Sequence, residues 1–316
     1  MKLALLLCAF ALFPEAIANT HPAGPSQGSE SSTIPLPFRQ PVTLVPASPA
    51  ASLAQAESEL PDSEASDDQP ELRTADLAKE SQNPIASLIS VPFQNNTTFG
   101  AGPSGEGTPN LLNIQPVIPV PLSEELLLVT RTIVPVVNQP ASATRQGSAF
   151  GLGDINPQFF FSPVSESKVT WGVGPTFDLP TATEDVLGQG KWSAGPAAVV
   201  VVSTGPMVCG AIANNVWSFA GDRDRESVNQ LLVQPFLNYN LPKGWYLVSA
   251  PIITSNWEAP AGEEPWTVPI GGGFGRVFAI GDQKVNASLQ AYWNVVKPDA
   301  AGDWSLRAQV QLLFPR

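Results

Sequence analysis

The stretch Lys284-Val285-Asn286-Ala287-Ser288-Leu289-Gln290-Ala291-Tyr292-Trp293-Asn294-Val295 alternates polar and apolar side chains from end to end. Lys284, Asn286, Ser288, Gln290, Tyr292 and Asn294 share one face. Val285, Ala287, Leu289, Ala291, Trp293 and Val295 share the other. A period of two puts these sets on opposite sides of a β-strand. A soluble sheet can alternate in the same way, so the reading rests on how often the pattern recurs.

Clusters of Gly, Pro, Asn, Asp and Ser divide the last 240 or so residues into similar segments. Strands are expected over 86–99, 110–121, 125–138, 149–162, 167–179, 190–203, 206–219, 228–241, 244–257, 265–279, 283–296 and 303–314. Each is long enough to cross a bilayer as a tilted strand, which needs about 9–11 residues. Tight turns at Leu122-Ser123-Glu124, Val164-Ser165-Glu166, Thr204-Gly205, Pro242-Lys243 and Gly281-Asp282 alternate with longer connections. Short turns on one side and long loops on the other are the rhythm of an outer-membrane barrel. The fold expected is therefore all-β: an antiparallel transmembrane β-barrel of about twelve strands over 77–316. An even count leaves both barrel ends in the periplasm.

The N-terminus reads as an export signal over 1–18. Lys2 precedes an apolar run from Leu3 to Phe13, and Ala16-Ile17-Ala18 forms the small-x-small cleavage pattern. The apolar run is too short to span a bilayer as a helix. Residues 19–76 are rich in Pro, Ser and Ala. Eight acids against Arg39 and Arg73 give the stretch 19–75 half of the chain's net charge of −12. Such a segment lacks the apolar content to offset the entropy of ordering. It is expected as a disordered periplasmic linker, or alternatively as a ligand for a periplasmic partner. Leu77 to Gln82 can form a helical turn or two, either capping and entering the barrel mouth or simply continuing the linker.

The alternation assigns faces. Val169, Trp171, Val173, Pro175 and Phe177 are expected toward lipid, as are Leu231, Val233, Leu237 and Tyr239. The lumen is expected to be lined by Asn113, Gln115, Asp154, Asn156, Gln158, Asp178, Asn214, Gln230, Gln234, Asn238, Asn286, Gln290, Asn294, Arg307, Gln309 and Gln311. Arg131 lies on a mostly apolar strand. It is assigned inward because a mid-membrane charge facing lipid costs about 2–4 kcal/mol. An amide-rich, nearly neutral lining suits small uncharged or hydrophobic solutes passing passively. The alternative is that these amides bond one another and close the bore, leaving a non-conducting scaffold whose tail tethers a partner. Expected partners are outer-membrane lipid and lipopolysaccharide in a Gram-negative-type cell, and the barrel-assembly machinery during biogenesis. Nucleic acid is not expected.

The barrel region contains no histidine, which excludes a Ser-His mechanism on its own residues. No His, Cys and carboxylate cluster has transition-metal spacing. No enzyme activity, metal or cofactor is expected. Gly271-Gly272-Gly273 with Gly275 lies within a strand, so it reads as a close-packed or bent wall rather than a phosphate loop.

Several runs resemble a known family: Ile89-Ser90-Val91-Pro92-Phe93-Gln94-Asn95-Asn96, Leu112-Asn113-Ile114-Gln115-Pro116-Val117-Ile118-Pro119, Thr130-Arg131-Thr132-Ile133-Val134-Pro135, Trp171-Gly172-Val173-Gly174-Pro175 and Leu312-Leu313-Phe314-Pro315. They are similar to the bacterial transporter-like proteins often mislabelled "neuromedin U", which are related to outer-membrane proteins of phenol-degradation (meta-pathway) clusters. The resemblance spans about 80–316. It implies a β-barrel, brings no catalytic motif and says little about substrate.

Overall fold

Each strand hydrogen-bonds to the next in sequence, and the last returns to the first. In the computed structural model, which describes residues 76–140, 147–165 and 167–315, twelve antiparallel staves close into a barrel. The signal with Ala16 and Ala18, the acidic linker and Arg145 lie outside the described residues.

The staves are β1 (Ile89–Phe99), β2 (Asn110–Ile114 and Val117–Pro121), β3 (Leu126–Gln139), β4 (Ala149–Leu152 and Asn156–Pro163), β5 (Val169–Asp178) and β6 (Lys191–Thr204). They continue as β7 (Met207–Gly221), β8 (Asn229–Asn240), β9 (Trp245–Ser249 and Ile253–Asn256), β10 (Trp266–Ile280), β11 (Gln283–Val296) and β12 (Trp304–Phe314). Closure runs from Ile89↔Phe314 to Phe99↔Trp304 without a register shift. The turns at Gly205 and Gly281 take φ of 54° and 58°. Glycine adopts this left-handed backbone without a Cβ clash, and tight hairpins require it.

Three staves are interrupted where proline or glycine breaks the ladder: Gln115-Pro116 in β2, Gly153-Asp154-Ile155 in β4 and Ala250-Pro251-Ile252 in β9. Pro269 sits at a register shift between β10 and β11. The freed backbone groups find other partners. Gln115 N donates to Pro92 O at 2.9 Å, and Gly153 N to Pro135 O at 2.9 Å. Ala250 N donates to the Tyr292 hydroxyl at 2.9 Å, and Ala250 O accepts from Arg307 Nη1 at 2.9 Å. A wall in hydrocarbon requires this, because an unpaired backbone group there has no water to bond.

The outside of the barrel is apolar. Phe93, Ile118, Phe161, Val173, Leu237, Ile270, Leu289 and Val310 are all exposed, and each alternates with a buried inward neighbour. Trp192, Trp217, Trp257, Trp266, Trp293 and Trp304 ring the long-loop end; Trp171 and Trp245 lie at the short-turn end. Trp257 meets Trp266 edge-on at 5.5 Å, and Phe99 stacks on Trp304 at 4.1 Å. Aromatic girdles at both margins of an apolar band are the exterior of a membrane-spanning barrel.

Two results test this. The folded chain should show a heat-modifiable band on semi-native gels. Val310→Arg, placed outward on β12, should cost about 2–4 kcal/mol if it lies near the bilayer midplane. Denaturant titration in lipid vesicles measures the loss.

Candidate functional site

The inward face has two zones. Toward the short-turn end, Val117, Leu127, Val129, Phe160, Val199, Val201, Val208, Ile212 and Phe236 form one buried apolar cluster. Tyr246, Val277 and Leu313 join a second. Toward mid-barrel and the long loops, amides take over. Beside the amides expected of the lining, the lower interior is a packed apolar floor. Its residues lie on strands such as Val199-Val200-Val201-Val202, where both faces are apolar and alternation assigns nothing.

Into this floor fits the segment 76–88. It begins with a helical turn over 76–80 and continues inside the barrel, with Ala78, Ser81, Gln82, Asn83, Ile85, Ala86 and Leu88 all buried. Ile85 packs in the first apolar cluster; Ala78, Ala86 and Leu88 pack in the second. Gln82 and Asn240 of β8 exchange amide bonds of 2.9 and 2.8 Å. Asn286 of β11 donates to Ser81 Oγ at 3.1 Å, and Asn83 donates to Thr170 Oγ1 of β5 at 3.4 Å. β5 and β11 face each other across the barrel of twelve staves and β8 lies midway between them, so the segment spans the bore and plugs its short-turn mouth. The helical turn expected at Leu77–Gln82 enters the barrel rather than continuing the linker.

Beside and above the plug, Asn113, Gln115, Asn156, Gln158, Asp178, Gln234, Asn238, Asn286, Gln290, Asn294, Arg307, Gln309 and Gln311 project inward and are buried. Asn214 and Gln230 follow the same inward alternation but are half-buried. Asp154 has a different task. It lies in the interruption of β4, where its oxygens accept Ala182 N at 3.2 Å and Gln189 N at 2.6 Å. These bonds fold the 179–190 connection over the barrel's outer end. Asn294 similarly donates to Gly302 O at 2.7 Å and anchors the last outer loop.

Arg131 is buried and faces inward, as the cost of lipid exposure dictates. Its Nη1 donates to Gln158 Oε1 at 2.9 Å, Gln158 Nε2 to Asn156 Oδ1 at 2.8 Å, and Asn156 Nδ2 to Asp178 Oδ1 at 2.7 Å. Two amides, each with its oxygen toward the cation and its nitrogen toward the anion, thus link Arg131 to Asp178. Charge-assisted bonds of this kind are stronger than neutral ones and polarise along the chain. Arg307 bonds Asn96 Oδ1 at 3.0 Å and Ala250 O, and lies 4.7 Å over the Tyr292 ring. Tyr292 donates in turn to Gln290 Oε1 at 2.5 Å. Gln94, Asn96, Tyr246 and Tyr292 belong to this interior but were not among the expected lining. For Gln94, Asn96 and Tyr292 the available signal was an even-numbered place on β1 or beside Gln290 on β11; Tyr246 lies on β9, where neither applies. Inward Gly275 leaves the space that the Tyr246 ring fills: a Cβ there would stand 2.2 Å from Cζ.

At the plug's mouth, burial and then the negative charge of Asp76 raise the Glu80 carboxyl to about 7. Its neutral form is therefore favoured when the plug is seated.

No protein-family model matches the chain, and no curated protein matches it. Among solved structures, it is similar to the COG4313 outer membrane channel from Pseudomonas putida F1 (TM-score 0.55, 17% identity, covering 72% of this chain and 94% of that one). It also matches the CymD monoaromatic hydrocarbon channel (TM-score 0.44, 11% identity, 78% and 91%) and LpxR from Salmonella typhimurium (TM-score 0.41, 7% identity, 71% and 100%). The first likeness shows the fold: a barrel of the kind that an outer-membrane channel uses.

Two outcomes follow from this geometry. Asn156→Leu keeps the volume but cuts the link from Arg131 to Asp178, and should cost about 1–3 kcal/mol in denaturant titration. A carboxyl whose seated value is raised stabilises seating fully below its free value, and that contribution is lost as pH rises through the seated value. Protection of the amides of 81–88 from hydrogen exchange, corrected for intrinsic rates, should therefore fall between about pH 4.5 and 7. Glu80→Gln should remove that dependence.

Proposed function

We propose that the protein is an outer-membrane channel for passive passage of small uncharged or hydrophobic solutes, shut in the described state by segment 76–88. The observation that carries this reading is the plug itself. It occupies a lumen apolar at the mouth and amide-lined above, and Gln82, Ser81 and Asn83 tie it to β8, β11 and β5 by side-chain bonds that water can replace, so it can withdraw without opening the wall. The resemblance to transporter-like outer-membrane proteins points the same way. One observation favours a second reading: the lumen side chains are buried as the chain stands, which suits a non-conducting scaffold whose acidic linker tethers a periplasmic partner.

Planar-bilayer recording separates the two. The full chain should open rarely and briefly. A chain lacking 19–88 should give sustained discrete steps. Gln234→Trp with Asn238→Trp, both projecting inward from β8, should reduce their size. Silence from the shortened barrel, shown to be folded by its heat-modifiable band, would favour the scaffold.

A further inference from the structure

Six charged residues lie within the staves: Arg131, Asp178, Lys191, Arg276, Lys284 and Arg307. Arg131, Asp178 and Arg307 are buried in the lumen. Lys191 is the first residue of β6 and Lys284 the second of β11, so both stand at the margins of the wall. Arg276 alone is set back from a stave end and turned outward. The alternation of β10 places it between Phe274 and Phe278 on the lipid face, while Gly275 and Val277 beside it are buried. Among the described residues no carboxylate pairs with it; the ion pair found there joins Lys297 to Asp303 at the long-loop end.

The surroundings of Arg276 fix its depth. Its guanidinium carbon stands 5.2 Å from the ring centroid of Trp245, its register partner on β9. Trp245 packs in turn against Phe274, with centroids 6.3 Å apart. Trp245 directly follows the 242–244 turn, where Lys243 is exposed. A tryptophan at the margin of a barrel sits at the headgroup level. Arg276 therefore presents its charge at that level, on the open side of the wall. One row deeper, Leu247, Phe274 and Leu289 are in register and exposed, an apolar strip beneath the cation. A guanidinium on the lipid side is tolerated near the interface, where water or a headgroup can solvate it. Its fork of N–H donors matches phosphate oxygens.

We infer that Arg276, Trp245 and the Leu247-Phe274-Leu289 strip form a binding site for one anionic phospholipid. The N–H edge of Arg276 takes the phosphodiester, Trp245 holds the guanidinium in place, and the acyl chains lie over the apolar strip. Lys243 adds positive charge on the water side. A zwitterionic lipid fits less well, because its own amine competes for the phosphate. Short turns face the periplasm, so the occupant is a phospholipid of that leaflet and not lipopolysaccharide. The chain's net charge of −12 repels an anionic bilayer as a whole, so a preference for an anionic lipid must come from a local site. The site is on the exterior and does not require that the barrel conduct.

Native mass spectrometry of the full chain refolded in detergent tests it. The titrants are phosphatidylglycerol, phosphatidylcholine with the same acyl chains, and glycerol 3-phosphate, which is a headgroup without chains. A first phosphatidylglycerol should be retained about five-fold more tightly than phosphatidylcholine, with glycerol 3-phosphate not retained. Arg276→Gln should erase the preference while the heat-modifiable band persists. Arg276→Lys keeps the charge without the fork and should keep part of it, and Lys284→Gln should leave it whole. Equal retention of the two lipids by the wild type would overturn the inference. A preference that survives Arg276→Gln would overturn it too. Retention of glycerol 3-phosphate as tight as that of phosphatidylglycerol would replace the lipid by a free phosphate. None of these results depends on conductance, so a silent barrel and an empty lipid site are distinguishable.

Discussion

Every backbone N–H and C=O facing hydrocarbon must find a partner within the protein, and that constraint organises the rest of the structure. It forces the unshifted seam between β1 and β12, because one open edge would leave a row of groups unpaired in lipid. It also explains why the prolines are tolerated. Where Pro116 and Pro251 interrupt β2 and β9, partners come from a neighbouring carbonyl, from the Tyr292 hydroxyl and from Arg307. The side chains of the lumen are therefore part of the wall's own hydrogen bonding.

A second constraint acts inside. Two guanidiniums and a belt of amides are packed away from water, where an unmatched polar atom is costly. Arg131 is joined to Asp178 through Gln158 and Asn156, and Arg307 is held by Asn96, Ala250 and Tyr292. Below them the interior turns apolar and the chain's own segment 76–88 fills it. The same alternation that makes the exterior greasy thus yields an interior with a dry floor and a polar upper zone. The bore grows with strand number, and at twelve strands a short peptide segment is enough to fill its mouth.

The twelve staves were legible to within three residues at their ends; the largest difference is β1, expected over 86–99 but starting at Ile89 because 86–88 belong to the plug. The expected 283–296 coincides with β11, and 303–314 differs from β12 by one residue. The alternation is local, and turns such as Gly205-Pro206 and Gly281-Asp282 punctuate it. The interruptions in β2, β4 and β9 were not separated from their strands, although Pro116 and Pro251 marked two of them. The faces of β6 could not be read from a run of valines. Asp154 was grouped with the lumen because its type suited a lining; its bonds to Ala182 and Gln189 show it holding a loop.

The sequence by itself determined an antiparallel barrel of about twelve strands and its outward band, because a period of two and the turn residues are encoded within a dozen neighbouring positions. Only the tertiary structure decided that Leu77–Leu88 folds back into the bore, that Gln82 meets Asn240 across 158 residues of chain, and that Arg131 reaches Asp178 through two amides. The Gln82–Asn240 contact joins parts of the chain distant in sequence and forms only when the wall curves and closes; the relay from Arg131 to Asp178 crosses the consecutive staves β3, β4 and β5 and depends on their register. No local pattern records that curvature.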